Sequence, residues 1–226
     1  SNVVPILEYL GLNIISEKTF KLQLNCDDRV WLHDFSVYRA KKLGQFTPSA
    51  KQVFEDAFLA IFNGEIDDDS FNELVTTAEI KWRDAALLRA YASYLKQIQF
   101  GYSVAHIAET LSNNRAICRL LIVYFAKMFD PALSHSERRK AKAARGKLIA
   151  AIDAVTVLSE DSVLRAYLNL FDATLRTNYF QPQADGALLK SYFSFKFDST
   201  QINGMPRPAP RYEIFIFSRQ VEGVHL

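Results

Sequence analysis

The chain has 226 residues, of which 49% are hydrophobic and 13% aromatic, and its formal net charge is +2. This composition excludes a disordered chain and suits one large domain or two modest ones. The near-neutral charge gives no overall reason to expect a nucleic-acid or membrane partner, and no apolar run is long enough to span a bilayer.

The two cysteines, Cys26 and Cys118, lie far apart and have no metal-ligand spacing. This pattern fits free thiols in a reducing cytoplasm better than a disulfide framework. We therefore expect a cytoplasmic protein, and we expect Cys118 to be a small buried side chain.

The first part of the chain predicts half of a small α/β sandwich. Residues 3–10 carry apolar positions at helical spacing and stop at Gly11. Apolar and polar side chains alternate weakly in residues 12–24, which predicts one or two strands. Residues 30–37 predict another strand. With a helix at residues 50–62, this order indicates a partial module whose first strand would lie upstream.

The middle of the chain predicts helices almost throughout. Thr47 and Pro48 have the side chains expected at an N-cap and a first helical position. Ser70 and Glu73 have capping-box spacing. No repeat of about 30 to 45 residues recurs with matching positions, which argues against a helical solenoid. The helices are predicted at residues 50–62, 82–98, 102–111, 117–128, 136–158 and 161–174.

The end of the chain predicts strands. Asp185 and Gly186 are typical of a hairpin turn, here between residues 178–181 and 188–198. Residues 212–218 form an aromatic and β-branched run that predicts a closing strand. We expect the last residues to lie at the unfinished edge of this sheet.

The histidines have no partner at metal-binding or catalytic spacing. His33 lies on the apolar side of its predicted strand, beside Trp31 and Phe35, and we expect a packing role for it. The others are His106, His135 and His225.

The acidic run at residues 67–69 lacks the alternating carboxylates of a calcium loop and predicts a solvated turn before a helix. The glycines at positions 11, 44, 64 and 101 are isolated and make no phosphate loop or dinucleotide fingerprint. The sequence therefore predicts no catalytic, cofactor-binding or metal-binding residue.

Residues 136–147 carry six Lys or Arg side chains against one acidic residue, Glu137. Such a basic patch can bind phosphate backbones, but it has neither aromatic residues for base stacking nor the pattern of a recognition helix. We favour a solvated or subunit-facing helix. The alternative is a free-standing helical module that recruits a protein or nucleic acid through this segment.

Seven stretches, spread over nearly the whole chain, occur in the order found in one family. They are VVPILEYLGLNIISEKTF, VWLHDF, FEDAFLAIFNGE, WRDAALLRAYASYLKQ, YLNLFDATLRTNYFQ, YFSFKFD and YEIFIFSRQVEGVHL. Together they resemble the large bacterial-type NAD-specific glutamate dehydrogenases, and LRTNYFQ and VEGVHL are the most specific of them.

The resemblance implies an α+β fold in three parts. Residues 1–62 would be the later part of an ACT-like regulatory module, an α/β remnant of helix, hairpin and helix. Residues 63–175 would be a mostly α-helical region, and residues 176–226 the first antiparallel strands of the substrate domain.

The resemblance also implies a function. The parent enzyme would oxidatively deaminate L-glutamate to 2-oxoglutarate and ammonium with NAD, using a catalytic lysine, an aspartate and an NAD fold outside this chain. We expect this chain to be an excised, non-catalytic regulatory and structural piece that binds no NAD itself. Its partners would be the rest of the polypeptide and further copies in a homo-oligomer, with no membrane, and nucleic acid is disfavoured.

Arg176, Asn178 and Tyr179 lie where the predicted helices meet the predicted sheet. We hypothesise that they lock the helical region to the substrate domain. The alternative is that they are ordinary polar residues at a strand end.

Overall fold

The computed structural model describes residues 3–23, 29–39, 47–184, 186 and 189–225. Its elements include two short 3-10 turns, at Ser70–Asn72 and Ser199–Gln201. The helices are α1 (Val3–Tyr9), α2 (Pro48–Phe62), α3 (Glu73–Thr77), α4 (Trp82–Gln97), α5 (Val104–Asn113), α6 (Arg115–Phe129), α7 (His135–Arg139), α8 (Ala141–Asp153) and α9 (Leu158–Ala173). The strands are β1 (Leu12–Gln23), β2 (Arg29–Arg39), β3 (Thr174–Thr177), β4 (Phe193–Asp198), β5 (Tyr212–Phe217) and β6 (Glu222–His225).

The predicted α+β fold is confirmed, and its N-terminal part is a helix followed by a hairpin. α1 ends at Tyr9, and Gly11 lies in the turn that follows; its φ of +81° suits glycine, and a Cβ there would lie 2.9 Å from the Thr76 hydroxyl oxygen. β1 is one continuous strand that pairs antiparallel with β2, with a register shift between Ile14 and Ser16. Cys26 lies outside the described residues.

The N-terminus of α2 is as predicted. Thr47 has extended backbone geometry, and its hydroxyl oxygen accepts a 3.1 Å hydrogen bond from the N–H of Ala50, while Pro48 is the first helical residue. None of the described helices is long and apolar enough to cross a bilayer.

Two helical predictions are wrong in detail. The single helix predicted at residues 136–158 is interrupted at Lys140, and a further break separates α8 from α9. α7 has no buried residue, whereas Leu148 and Ile152 hold α8 in the core, so packing stabilises only the later part. The capping box predicted at Ser70 is replaced by Asp69, whose carboxylate accepts from the N–H of Phe71.

The second sheet is antiparallel and has the order β3-β4-β5-β6. β3 occupies Thr174–Thr177 instead of the predicted residues 178–181, and β4 begins at Phe193. Between them the described residues form one isolated bridge, Pro182 with Leu189, and Gly186 has the positive φ expected of the predicted turn. Asp185 lies outside the described residues. β6, which the sequence did not predict as a strand, lies at the sheet edge.

Helices and sheet share one hydrophobic core. Phe193, Phe195 and Phe197 alternate along β4 and are buried on the face toward α4. The ring centroid of Tyr91 in α4 lies 4.7 Å from that of Phe195, and the ring centroid of Tyr94 lies 4.4 Å from that of Phe197. This aromatic contact fixes the sheet against α4.

Candidate functional site at the helix–sheet junction

Tyr179 ties the segment after β3 to the N-terminal turn of α4. Its side chain is buried, and its phenol donates a 2.7 Å hydrogen bond to a carboxylate oxygen of Asp84. The other carboxylate oxygen of Asp84 accepts from the backbone N–H of Lys81, 3.3 Å away. One carboxylate therefore caps α4 and anchors Tyr179.

Arg83, the neighbour of Asp84, holds both arms of the segment between β3 and β4. Its two terminal nitrogens donate 2.9 Å hydrogen bonds to the carbonyl oxygens of Lys190 and Tyr179. The guanidinium carbon lies 5.0 Å from the ring centroid of Tyr179 and 4.9 Å from that of Phe193. The planar cation thus combines two hydrogen bonds with two aromatic contacts.

The protonation of this cluster follows from its burial. Burial raises the pKa of the Asp84 carboxyl, and the hydrogen bond from Tyr179 opposes that rise only in part. Burial also raises the pKa of the Tyr179 phenol, to which the negative charge of Asp84 adds. The phenol therefore stays protonated at neutral pH and is the donor in the pair.

Asn178 extends the sheet beyond the last residue of β3. Its backbone N–H donates to the carbonyl oxygen of Ser194, and its side-chain oxygen accepts a 2.7 Å bond from the N–H of Ser194. Its side-chain nitrogen donates to the carbonyl oxygen of Tyr192, 3.1 Å away. The side-chain amide of Asn178 thus makes hydrogen bonds to the backbone that a further strand residue would make, at the point where the chain turns.

Arg176 lies in a different setting. It is exposed and sits opposite Lys196 in the β3–β4 ladder. Among the described residues its guanidinium has no hydrogen bond or ion pair. The structure therefore brings Asn178 and Tyr179 into the junction contacts and leaves the Arg176 side chain outside them.

Sequence reasoning missed Arg83, Asp84 and two tyrosines that complete the junction. The Tyr91 hydroxyl lies 2.8 Å from the hydroxyl of Thr174 at the start of β3. The Tyr94 phenol donates a 2.6 Å bond to the Glu213 carboxylate in β5. Tyrosines three positions apart share one helix face, which indicates the buried face, but the spacing does not identify a partner 119 residues away.

A second link joins the end of α2 to the turn after β5. A terminal nitrogen of Arg219 donates a 2.6 Å hydrogen bond to the carbonyl oxygen of Gly64, and its Nε lies 3.7 Å from the Asp67 carboxylate. Gly64 has a φ of +73°, and a Cβ on it would lie 2.5 Å from the same guanidinium. An open cleft of about 1220 Å³ lies between this link and the junction, lined in part by Ile66, Trp82, Arg83, Tyr192, Phe193 and Arg219.

The acidic run does more than form a solvated turn. The carboxylate of Asp69 accepts two hydrogen bonds, of 2.7 and 2.8 Å, from the guanidinium of Arg89, which is only 4% exposed. The guanidinium also donates a 2.7 Å bond to the side-chain oxygen of Asn72. This contact fixes the approach to α3 against the buried face of α4.

The described histidines and Cys118 form no reactive centre. His33 lies outside the core because its ring is exposed, but the ring stacks on Phe35 and its Nδ1 lies 2.8 Å from a Glu17 carboxylate oxygen, so the predicted packing role holds only at the surface. Cys118 is buried as predicted, and burial raises the pKa of its thiol to about 12. Within the described ranges, no three His, Cys, Asp or Glu side chains are grouped to hold a metal ion.

The basic segment of α7 and α8 is partly neutralised inside the chain. Glu137 pairs with both Lys127 and Lys140, and those hydrogen bonds lower the pKa of its carboxyl to about 2. Arg145 makes a bidentate pair with Asp172 in α9, with a shortest distance of 2.6 Å. These contacts favour an intramolecular role for part of the basic charge.

Three protein-family models match consecutive parts of the chain. Residues 1–49 match the ACT3 domain of glutamate dehydrogenase, and residues 66–131 match its helical motif 3. Residues 147–226 match the catalytic domain of bacterial NAD-glutamate dehydrogenase. The chain belongs to the bacterial NAD-specific glutamate dehydrogenase family. The resemblance noted in the sequence is therefore confirmed.

Curated glutamate dehydrogenases of this family align with the whole chain. The NAD-specific glutamate dehydrogenase of Pseudomonas aeruginosa is 44% identical over 229 residues. Those of Halomonas elongata and Mycobacterium tuberculosis are 42% and 37% identical. In each case the alignment covers 100% of the chain and 14% of the relative, so the chain spans about one seventh of their length.

The matches give the junction a place within the glutamate dehydrogenase family. α4, with Arg83 and Asp84, lies in the part that matches helical motif 3, whereas Tyr179 and the four-stranded sheet lie in the part that matches the catalytic domain. The contacts of Tyr179 with Arg83 and Asp84 therefore cross from one matched region to the other.

These relatives are NAD-specific by name, and NAD is a dinucleotide. A dinucleotide site places the pyrophosphate at a glycine-rich turn between a parallel strand and a helix. The sheet of β3 to β6 is antiparallel throughout and does not fit this arrangement.

Proposed function

We propose that the chain is a non-catalytic structural and regulatory segment of an NAD-dependent glutamate dehydrogenase. The observation that supports this most is the alignment of the whole chain with one seventh of enzymes of that name. In the whole enzyme, L-glutamate would lose a hydride to the nicotinamide, and water would hydrolyse the imine to 2-oxoglutarate and ammonium. NAD supplies the hydride acceptor, and groups outside this chain do the chemistry.

The proposed structural role is to hold the first strands of the substrate domain. The guanidinium of Arg83 and the carboxylate of Asp84 fix Tyr179, and the aromatic face of α4 covers β4 and β5. A substrate domain needs its strands fixed to a fraction of an ångström, because small displacements of reacting groups reduce rates greatly. On this proposal α4 supplies that support.

The proposed division of the chain is an ACT-like part at residues 1–62, a helical region at 63–175 and the substrate-domain strands at 176–226. On this division Arg176, Asn178 and Tyr179 begin the third part and lock it to the second. The proposed regulatory path is the Arg219 link, through which the end of α2 touches the turn after β5.

The non-catalytic role is tested with the purified chain and the longer polypeptide. We expect the 226-residue chain to show no glutamate-dependent formation of NADH and no NAD binding by calorimetry, whereas the longer polypeptide does both. Turnover by the chain alone would overturn the proposal. Titration of the longer polypeptide with the proteinogenic L-amino acids tests the regulatory part, which flat titrations would contradict.

The structural role is tested with Tyr179→Phe in the longer polypeptide. We expect a lower kcat with a lower melting temperature, because the Asp84 carboxylate loses its donor. Tyr192→Phe is the matched control, since Tyr192 is partly exposed and does not contact Asp84. Equal kcat values for wild type and Tyr179→Phe would contradict the role.

The proposed contribution of Arg176 needs its own variant. Arg176→Ala in the longer polypeptide should lower assembly, measured as subunit mass in solution, or turnover. If both stay at the wild-type level, Arg176 has no part in the lock. The hypothesis that the three residues act together as a lock would then fail.

The alternative of a free-standing nucleic-acid module has no comparable support. Glu137 and Asp172 already pair with Lys127, Lys140 and Arg145. A salt-dependent affinity of the chain for duplex DNA or RNA would be the observation in its favour.

A further inference from the structure

The hairpin of β1 and β2 exposes a small apolar patch on one face. Phe20 lies directly opposite Leu32, and Leu22 lies directly opposite Val30. Their exposed fractions are 48%, 51%, 43% and 41%. Residues opposite each other across a ladder share one face, so these four side chains form a contiguous square. We call them the hairpin patch.

The other face of the hairpin uses its large side chains within the chain. The ammonium of Lys21 lies 5.9 Å from the centroid of the Trp31 ring. His33 pairs with Glu17 and stacks on Phe35, with ring centroids 6.3 Å apart. Among the described residues the hairpin patch makes no such polar contacts, so covering this face would remove more apolar surface from water without breaking one.

A charged row borders the hairpin patch on the side nearer the helices. Lys18 and Asp34 lie directly opposite each other and on the same face as the patch. Both are exposed, and within the described part of the chain neither carries an ion pair. The row therefore presents one positive and one negative charge at the same distance from the patch.

We infer that the hairpin patch is a contact surface for a second copy of this chain. The two hairpins pack face to face around a two-fold axis parallel to their strands. Such an axis places β1 of one copy over β2 of its partner. Phe20 then faces the Leu32 position of the second copy, and Leu22 faces the Val30 position.

Charge complementarity supports a second copy over other occupants. The same axis places Lys18 over the Asp34 position of the second copy, and Asp34 over its Lys18 position. Each dimer gains two opposite-charge contacts beside one apolar patch. A contact of this type is isologous, because one surface is complementary to itself. Packed sheets cross at about 30°, which keeps these rows in reach of one another.

The contact should be weak. Stable interfaces use roughly 20–30 residues on each side, and the patch with its charged row has six. We therefore expect dimers of the chain only at high protein concentration, unless other surfaces add to the contact.

The first experiment measures the mass of the complete 226-residue chain by sedimentation equilibrium over a wide concentration range. We expect reversible dimers, and a chain that stays monomeric at all concentrations would overturn the inference. Lys18→Asp places Asp opposite Asp twice per dimer and should weaken association about tenfold or more. Asp34→Lys should weaken it similarly.

The decisive sample is an equimolar mixture of these two variants. In a mixed dimer each Asp of the first variant faces a Lys of the second, so the mixture should associate at least as well as wild type. Within each chain the charges opposite each other are still alike, so a damaged hairpin cannot explain restored association. A mixture that stays monomeric would contradict the inference.

Lys21→Asp is the matched control because it makes the same charge change on the other face of β1. It should leave association unchanged, and circular dichroism should show that all variants are folded. If Lys21→Asp weakens association as much as Lys18→Asp, the hairpin patch is not the contact surface.

Discussion

The phenol oxygen of Tyr94 lies 2.6 Å from a carboxylate oxygen of Glu213, and both side chains are buried between α4 and β5. Burial and the neighbouring carboxylate raise the pKa of the Tyr94 phenol, so it stays a donor at neutral pH. A carboxylate removed from water depends strongly on its partner. The pair therefore joins α4 to the sheet by more than apolar packing.

Tyr94→Phe removes the donor and leaves the Glu213 carboxylate buried without it. We expect the free energy of unfolding, measured with urea, to fall by about 2–3 kcal/mol. Glu213→Gln keeps an acceptor and should cost less, about 1 kcal/mol. Tyr212→Phe is the control, because Tyr212 is 40% exposed and should change stability by less than about 0.5 kcal/mol. A Tyr94→Phe loss no larger than the control would contradict this role.

Asp84 should make stability depend on pH. Burial raises its folded-state pKa above the ordinary value of 3.8, so the folded protein favours the protonated form. The contribution of Asp84 to the free energy of unfolding is greatest below pH 3.8 and is lost as pH rises through the folded-state pKa. The stability of wild type relative to Asp84→Asn should therefore fall as pH rises from about 4 toward neutral.

The measurement is urea unfolding of both proteins across that pH range. Asp56→Asn, at an exposed position of α2, is the control. Its free energy of unfolding should differ from that of wild type by the same amount at every pH in the range. A wild-type advantage over Asp84→Asn that increases with pH would show that the fold prefers the ionised carboxylate.

Asp69→Ala should destabilise the chain through Arg89. The guanidinium of Arg89 is buried and would lose the carboxylate that accepts two of its hydrogen bonds. We expect a loss of about 2–3 kcal/mol, because removing one partner leaves a buried charge uncompensated while Asp69 itself is partly exposed. Asp68→Asn, one residue away and not hydrogen-bonded to Arg89, should cost much less in thermal or urea unfolding. Equal losses would contradict the argument.

Gly64→Ala should separate backbone strain from a steric clash. Its positive φ alone costs about 1 kcal/mol or more for a residue with a Cβ. The new Cβ would also lie 2.5 Å from the Arg219 guanidinium and displace it. Gly204→Ala is the matched control, since Gly204 has a φ of +74° and open space around its Cβ position.

We expect Gly64→Ala to lower the free energy of unfolding more than Gly204→Ala does. In an Arg219→Ala background the two losses should become equal, because only the strain is left. If Gly64→Ala costs the same with and without Arg219, the contact with the turn after β5 adds nothing to stability.

The sequence predicted those helices and strands whose ends are set by residues close together in the chain. Thr47 and Pro48 marked the start of α2 because an N-cap hydroxyl and a proline act within one turn. The turn residues Asp185 and Gly186 predicted a strand at residues 188–198, which contains β4, because a hairpin turn is specified by its own few residues. The break at Lys140 was missed, since helical periodicity does not show which turn finds a core to pack against.

The junction was predicted only in part, for a related reason. Asn178 and Tyr179 could be selected because they lie between a helical and a β pattern. Their partners in α4 lie almost 100 residues earlier, and no local rule connects them. The same limit hid Asp69 and Arg89, whose pairing depends on the tertiary fold.

The aromatic face of α4 affects how this chain unfolds. Tyr91 and Tyr94 belong to the same buried cluster as Phe195 and Phe197, so the helical part cannot separate from the sheet without exposing rings of both. The amides of β4 and those of the middle of α4 should consequently exchange with deuterium at one common slow rate. The two parts that match different family models would then melt as one cooperative unit.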